Sequence, residues 1–498
     1  MRKRFEQQLT FGTIPIGEVV INKKSRHQLA PVLIALQYAF NDKELSEEIF
    51  KLLEKKILGG KKKTGCYGMS LWEILVLGVV KLSLEIDFDF LHDLSNSHTE
   101  LRGILGVRNT DISQGKEYQY QTLHDNVQLL DAETILLISE LIVKRGHGLI
   151  KKKEGKDCLN LAIKSDSFVV ESSIHFPTDM NLLWDSCRKC IDTIGLLKAE
   201  KEGVSQSCFW IGWGQYKSWY NRIKNPYRIT SEIHRKKGAN YHLRLEEATK
   251  NYLSVTGTLS EKVRLSLSQG ASYIGMGVID SLRVANLLKE LKYYLSMLDK
   301  HRDLVNRRIL LGEKIPHHEK VFSIFEPHVE WNTKGKLNKK VELGHNVLIA
   351  TDQYQFIVYQ EVYEKQVDKS RTIEIGNYIA NHFSAPDYKL SSISFDRNFY
   401  SLLAKQSLNK LFDVVVLPKP GKKTAQQKEE ESTDLFIEKR KKHSAVEANI
   451  NQLEHHGLAV CRDKGIDGFK RYVAYGILSY NLHRMGRIIM ETRTAKAA

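Results

Sequence analysis

Apolar residues recur at steps of three and four through 29–40, 49–57, 71–84 and 132–143, the spacing of helices that bury one face. The first 150 residues therefore read as a helical N-terminal domain. Ser70 stands three positions before Glu73, a capping box that starts the third of these helices. Two short helices, 89–94 and 99–105, flank the polar turn Ser95-Asn96-Ser97-His98; a DNA-reading helix-turn-helix and an ordinary helix pair both fit this pattern.

A Lys- and Glu-rich run, 151–156, precedes a β-like stretch, 161–171, interrupted by Lys164-Ser165-Asp166-Ser167. An aspartate inside a strand needs a reason. Helical spacing returns over 184–311, with amphipathic segments at 260–267 and 278–310, as in an inserted helical domain. Segments 341–350 and 355–363 are rich in Val, Ile, Phe and Tyr, and the polar Thr351-Asp352-Gln353 between them predicts a hairpin whose aspartate satisfies turn backbone, with a further metal ligand as the less favoured reading of Asp352. There follow a helix at 372–383, a strand at 390–395 running into Asp396, a helix at 399–408, a short strand at 414–417 and helices at 445–456 and 472–490. The charged segment 419–442 between them reads as a mobile strap, and Asp179 as a loop former or cap for the helix after it.

Three leading strands followed by alternating α and β units are the order of an α/β core of ribonuclease-H-like type, a mixed sheet flanked by helices. The expected division is 1–150 as a helical N-terminal DNA-binding domain, 151–187 as the first part of the catalytic core, 188–315 as a helical insertion, and 316–498 as the remainder of the core with C-terminal helices. A chain of 498 residues suits several domains, and 42% hydrophobic residues exclude wholesale disorder.

Charge narrows the partner. A net charge of +16 favours a polyanion, although basic solubility charge gives the same number. The longest apolar run, 71–84, contains Glu73 and Lys81 and is too short to span a bilayer, so no membrane partner is expected. No signal-peptide pattern opens the chain, and a cytoplasmic, nucleoid-associated location is expected. Cys187 and Cys190 form a CxxC with Cys208 further on, but no second pair completes a zinc set; buried thiols are expected. Between 209 and 244, cations including Arg235, Lys236 and Lys237 interleave with Trp210, Trp213, Trp219 and several tyrosines. This composition suits a nucleic-acid surface with stacking platforms, or a helical core with a solvated basic rim.

Phosphodiester chemistry needs an activated oxygen nucleophile and a stabilised leaving oxygen, which a pair of divalent ions can supply. Mg²⁺ takes hard oxygen ligands and keeps several waters, so two or three carboxylates suffice. Asp166 in the first strand, Asp396 at the end of the fourth and Glu447 near the start of a C-terminal helix offer that set. Strands one and four are expected to be neighbours. Val446, Ile450 and Leu453 form the buried stripe of the helix, and Glu447 borders it; Glu454 is a rival third ligand.

These segments resemble bacterial insertion-sequence transposases of the DDE type, most closely the ISNCY group. The similarity is carried by 164–171 with 174–179, Phe322-Ser323-Ile324-Phe325-Glu326-Pro327-His328, Val341-Glu342-Leu343-Gly344, Ser394-Phe395-Asp396-Arg397-Asn398-Phe399-Tyr400 and His443-Ser444-Ala445-Val446-Glu447-Ala448-Asn449-Ile450. It implies that Asp166, Asp396 and Glu447 are the catalytic and metal-binding triad, with two Mg²⁺ ions for which Mn²⁺ substitutes. It implies binding to terminal inverted repeats and target DNA, strand cleavage and strand transfer, and at least a homodimer on DNA. Relatives often carry a Tyr and an Arg before the catalytic Glu and a Lys two turns after it. Here His443 and Glu454 stand at such places, so phosphate contacts are expected from Arg440, Lys441, Lys442 or Lys470. A nuclease of the same fold without strand transfer, and a decayed copy that only binds DNA, are the alternatives.

Overall fold

The computed structural model describes residues 2–5, 14–59, 68–107, 116–200, 212–275, 282–333, 341–365 and 368–497. Cys208 and Trp210 lie outside them. Two compact units are present: residues 1–173 together with 330–498, and residues 174–329.

The first unit is mixed α/β. Its strands are β1 (Leu159–Ser172), β2 (Glu330–Asn332), β3 (Glu342–Thr351), β4 (Ile357–Tyr363), β5 (Tyr388–Phe395), β6 (Val414–Val416) and β7 (Val460–Cys461). They form one sheet in the order β2-β3-β1-β5-β6, with β4 also on β3 and β7 on β1. β3 runs antiparallel to β1 and β4, whereas β5 runs parallel to β1 and β6. Gly344 on β3 lies opposite Glu171, and a Cβ there would collide with the carbonyl oxygen of Val170. Only glycine lets the two backbones approach this closely.

The N-terminal helices do not make a unit of their own. Leu33, Leu77 and Ile138 belong to the same apolar core as Val347 and Ile393 of the sheet and Val473 of the last helix. Helices Leu29–Asn41, Leu71–Ser83 and Ala132–Glu154 all pack on helix Gly465–Ala497. The reason is visible in helix Leu71–Ser83, which is buried on every side and so belongs in an interior. Its expected capping box between Ser70 and Glu73 is formed, and its two charges are compensated: Lys81 pairs with Asp463 at 3.1 Å, and Glu73 accepts from Tyr118 Oη at 2.5 Å.

The second unit is helical and begins and ends outside the expected 188–315 limits. Its core includes Leu183, Cys187, Cys190, Trp213, Tyr252, Leu291 and Leu298. Burial pushes both thiols well above the ordinary cysteine range. Thr178, rather than Asp179, caps helix Asp179–Ala199 by accepting from Asn181 N at 3.2 Å; Asp179 pairs with Arg308 at 2.6 Å.

The charged segment after β6 is ordered rather than a loose strap. Thr424 and Gln427 form a capping box for helix Ala425–Glu431, and Thr433 caps helix Asp434–His443. Threonine caps satisfy the free N–H groups that open a helix, and this local signal outweighs the high charge.

Candidate active site

Along β1, Leu161, Ile163 and Ser165 are buried, while Ala162, Lys164 and Asp166 are half-buried on the other face. Strand alternation alone puts Lys164 and Asp166 together. Ser165 Oγ donates to Ile349 O at 2.8 Å, tying β1 to β3 at this level, and Asp166 Oδ1 accepts from Ser167 N at 2.7 Å.

β5 lies beside β1 with Lys164 opposite Ser394 and Ser165 opposite Phe395. Asp396 follows directly and remains extended, with φ −72° and ψ 164°. One further step of the same register would set Asp396 beside Asp166. Parallel neighbours in register present their side chains to one face with strands about 4.8 Å apart, so these two carboxylates share a face at the C-terminal end of β5. The chain then turns through Arg397–Phe399, held by a 2.9 Å bond from Thr372 Oγ1 to Phe399 O.

Two helices joined by Ser444 border this place. Helix Asp434–His443 packs on β5 and β6, and helix Ala445–Leu453 packs on β1 and β3. Val446, Asn449 and Leu453 supply the buried face of the second helix; Ile450 is half-buried and Glu447 is exposed in its first turn. Glu454 falls beyond the helix, in a distorted turn that includes Gly457 at φ 98°.

His443 ends the first helix, and its Nδ1 lies 3.0 Å from Ser394 Oγ. The Ser394 hydroxyl also reaches Ile163 O at 3.4 Å. The hydroxyl has one proton to give, to Ile163 O or to Nδ1, and the tautomer of the ring follows from which of the two receives it. Burial pushes His443 below the ordinary histidine range, with Asp396 pulling upward and Lys164 downward. Lys164 is itself lowered by burial, with Asp352 opposing and Lys439 and Lys442 adding to the effect.

The fold thus pairs the strands that lead into Asp166 and Asp396 and sets the Glu447 helix on the strand that carries Asp166. Among the described residues, no three His, Cys, Asp or Glu side chains are grouped tightly enough to hold a metal ion. The donor chemistry of the two aspartates and the adjoining glutamate is all-oxygen and suits Mg²⁺ or Mn²⁺. Lys164, Lys439 and the hydrogen bond of His443 are features that sequence spacing did not single out. The available signal was alternation along β1, which puts Lys164 on the face of Asp166.

The other candidates are more dispersed. Arg440 and Lys441 are exposed, Lys442 pairs with Glu438 at 2.5 Å, and Lys470 pairs with Glu364 at 3.3 Å. In the helical unit, Arg235, Lys236 and Lys237 are exposed at the end of helix Ser218–Lys236, with Lys236 paired to Glu232 at 2.6 Å. Trp213 and Trp219 are not stacking platforms: both are buried, and Trp213 Nε1 donates to Ser266 Oγ at 2.8 Å. Asp352 is a turn aspartate, accepting from Tyr354 N at 2.8 Å and Phe356 N at 2.9 Å. Its second oxygen lies 2.6 Å from Nε2 of the buried His147. No helix among the described residues is long and apolar enough to cross a membrane. The chain matches no family model, no curated protein and no solved structure.

Proposed function

We propose that this protein is a DNA transposase that binds the ends of its element and carries out divalent-metal-dependent strand cleavage and strand transfer. The observation that supports the proposal is the β1–β5 register, in which Ser165 pairs with Phe395 and the residue after each is an aspartate, Asp166 and Asp396. The strand order β4-β3-β1-β5-β6, with the first three antiparallel and the last pairs parallel, supports a ribonuclease-H-like core. The resemblance of the segments around Asp166, Asp396 and Glu447 to DDE transposases gives this core its substrate.

Asp166 and Asp396 would hold Mg²⁺, with Glu447 completing the set. When bound, a pair of such ions activates an attacking oxygen and steadies the departing one. The chain's own side chains do the rest. Half-burial of the aspartate face limits water around the reacting phosphate, which strengthens each electrostatic contact made there. His443, whose charged form is disfavoured by burial and whose ring is held by Ser394, stands at the edge of the site as a candidate proton carrier. The excess of cations over acids draws the polyanion in.

The test is Asp166→Asn in the full chain. It should leave DNA affinity within twofold of the parent and abolish Mg²⁺-dependent nicking of a plasmid carrying the element's ends. Retained cleavage removes Asp166 from the reaction, and a parent protein that never nicks such DNA removes the enzymatic proposal. Nicking without joining of a precut end to target would identify a nuclease instead.

A further inference from the structure

We infer that Lys164, Lys439 and Lys442 form a seat for a phosphodiester of the nucleic-acid backbone, beside the two aspartates; this deepens the DNA-processing proposal and rests on it. Lys164 on β1 lies opposite Ser394 on β5, and Ser394 is bonded to His443 at the end of helix Asp434–His443. Lys439 precedes His443 by four positions and Lys442 lies three after Lys439, so all three occupy one side of the helix. That side is the one anchored to Ser394. A strand lysine and two helix lysines therefore converge over the β1–β5 junction.

Asp352 offsets part of the charge of Lys164 from a distance, but no ion pair does so among the described residues. Lys164 and Lys439 are both half-buried, and neither makes an ion pair or hydrogen bond with an acid among the described residues. Lys442 pairs with Glu438, but both ends of that pair are exposed and such a contact is easily exchanged. Like charges gathered in a partly desolvated place repel one another, and an anion seated among them relieves that repulsion. The face they share also has a direction. Asp166 follows Lys164 on the same face, about 7 Å further along the strand, roughly the spacing of adjacent phosphates in a DNA strand. Acidic oxygens at one step and ammonium groups at the next are complementary to a backbone whose scissile phosphate lies at the first and whose neighbouring phosphate lies at the second.

The experiment uses the full chain and a labelled mixed-sequence duplex of about 30 base pairs, without divalent metal, with affinity measured between about 50 and 200 mM salt. The variant Lys164→Gln/Lys439→Gln/Lys442→Gln is compared with Lys43→Gln/Lys51→Gln/Lys55→Gln, which removes the same charge from exposed positions of helix Lys43–Leu58. Each phosphate contact contributes about 0.9 to the slope of log affinity against log salt, so the cluster variant should lose about 2 to 3 and the control less than half of that. The corresponding triple arginine variant should recover the slope. Equal losses in the two glutamine variants, or none in the cluster variant, overturn the inference. Lys439→Gln alone, on a helix surface and with an unchanged melting curve, should lose about 1 unit of slope, so a misfolded triple variant leaves the question decidable. A slope that depends on the cluster in a protein that never nicks DNA sustains the phosphate seat and sinks the catalytic proposal; nicking with no such dependence does the reverse.

Discussion

Replacing Asp166 by Asn should stabilise the metal-free protein while removing its response to Mg²⁺. Continued by one residue beyond Ser165 and Phe395, the register would set two half-buried carboxylates at about the strand spacing, roughly 5 Å apart. At an effective dielectric constant of about 20 their repulsion comes to about 3 kcal/mol. Both groups are half-exposed, so solvent screening reduces this to about 1 kcal/mol. The amide oxygen of Asn can still accept from Ser167 N, so the substitution removes the charge and keeps that bond. A gain of about 1 kcal/mol raises the melting temperature by roughly 2 °C in a unit of this size. The parent in about 10 mM Mg²⁺, with a dissociation constant of about 1 mM, should instead gain about 1.4 kcal/mol from the ion. Differential scanning calorimetry of the parent, Asp166→Asn, Asp396→Asn and the double variant, each with and without Mg²⁺, measures both effects. The single variants should rise in the metal-free state, and the double variant should rise by less than their sum because the first substitution already removes the repulsion. A fall in melting temperature, strict additivity, or an unchanged Mg²⁺ response in the variants would refute the shared site.

Other outcomes follow from the packing and the buried titratable groups. On helix Ala132–Glu154, a Cβ at Gly146 would overlap the ring of Phe356, with Cε2 at 2.9 Å and Cζ closer, whereas nothing lies within 4 Å of one at Gly148. Gly148→Ala should therefore stabilise by about 0.5–1 kcal/mol, and Gly146→Ala should cost a net 1–2 kcal/mol or so after overpacking outweighs the same propensity gain; urea unfolding with both variants shifted the same way would contradict this packing. Burial pushes His301 and His483 down to about 4, with His456 adding to the effect on His483. The unfolded chain takes up these protons near pH 6.5 and the folded chain only near 4, so stability should fall as pH drops through that window, by on the order of 2 to 3 kcal/mol per histidine. Denaturant midpoints that fall equally in the parent and in His301→Gln and His483→Gln would rule these histidines out as the cause. Asp352→Ala strips His147 and two turn N–H groups of their partner in the interior and should cost about 3–5 kcal/mol, whereas Asp352→Asn, which keeps a turn acceptor, should cost less; equal losses would mean that the His147 contact alone matters.

The chain announces its elements where local chemistry is strong. Ser70 and Glu73 read as a capping box and form one; the polar break at Asp352 reads as a hairpin and is one. The strands around Asp166 and before Asp396 stand close to where alternation and β-branched residues place them. Threonines 424 and 433 carried a helix signal as well, but the surrounding charge concealed it.

What spacing along one dimension leaves open is which surfaces meet. Periodicity shows that Leu71–Ser83 is apolar; only the fold shows that it is wrapped on all sides and joins the N-terminal helices to the core of the sheet. The same holds for the tryptophans of the helical unit, since an indole among cations can stack on a base or fill an interior with equal local plausibility. The acids themselves were legible as residue types in suitable elements, but the strands that carry Asp166 and lead into Asp396 are joined by a parallel pairing between residues more than two hundred positions apart. The surroundings of Lys164, Lys439 and His443 were hidden for the same reason: a side chain's electrostatic neighbours are set by strand register and helix docking, which depend on contacts among many distant residues and leave no repeat in the local sequence.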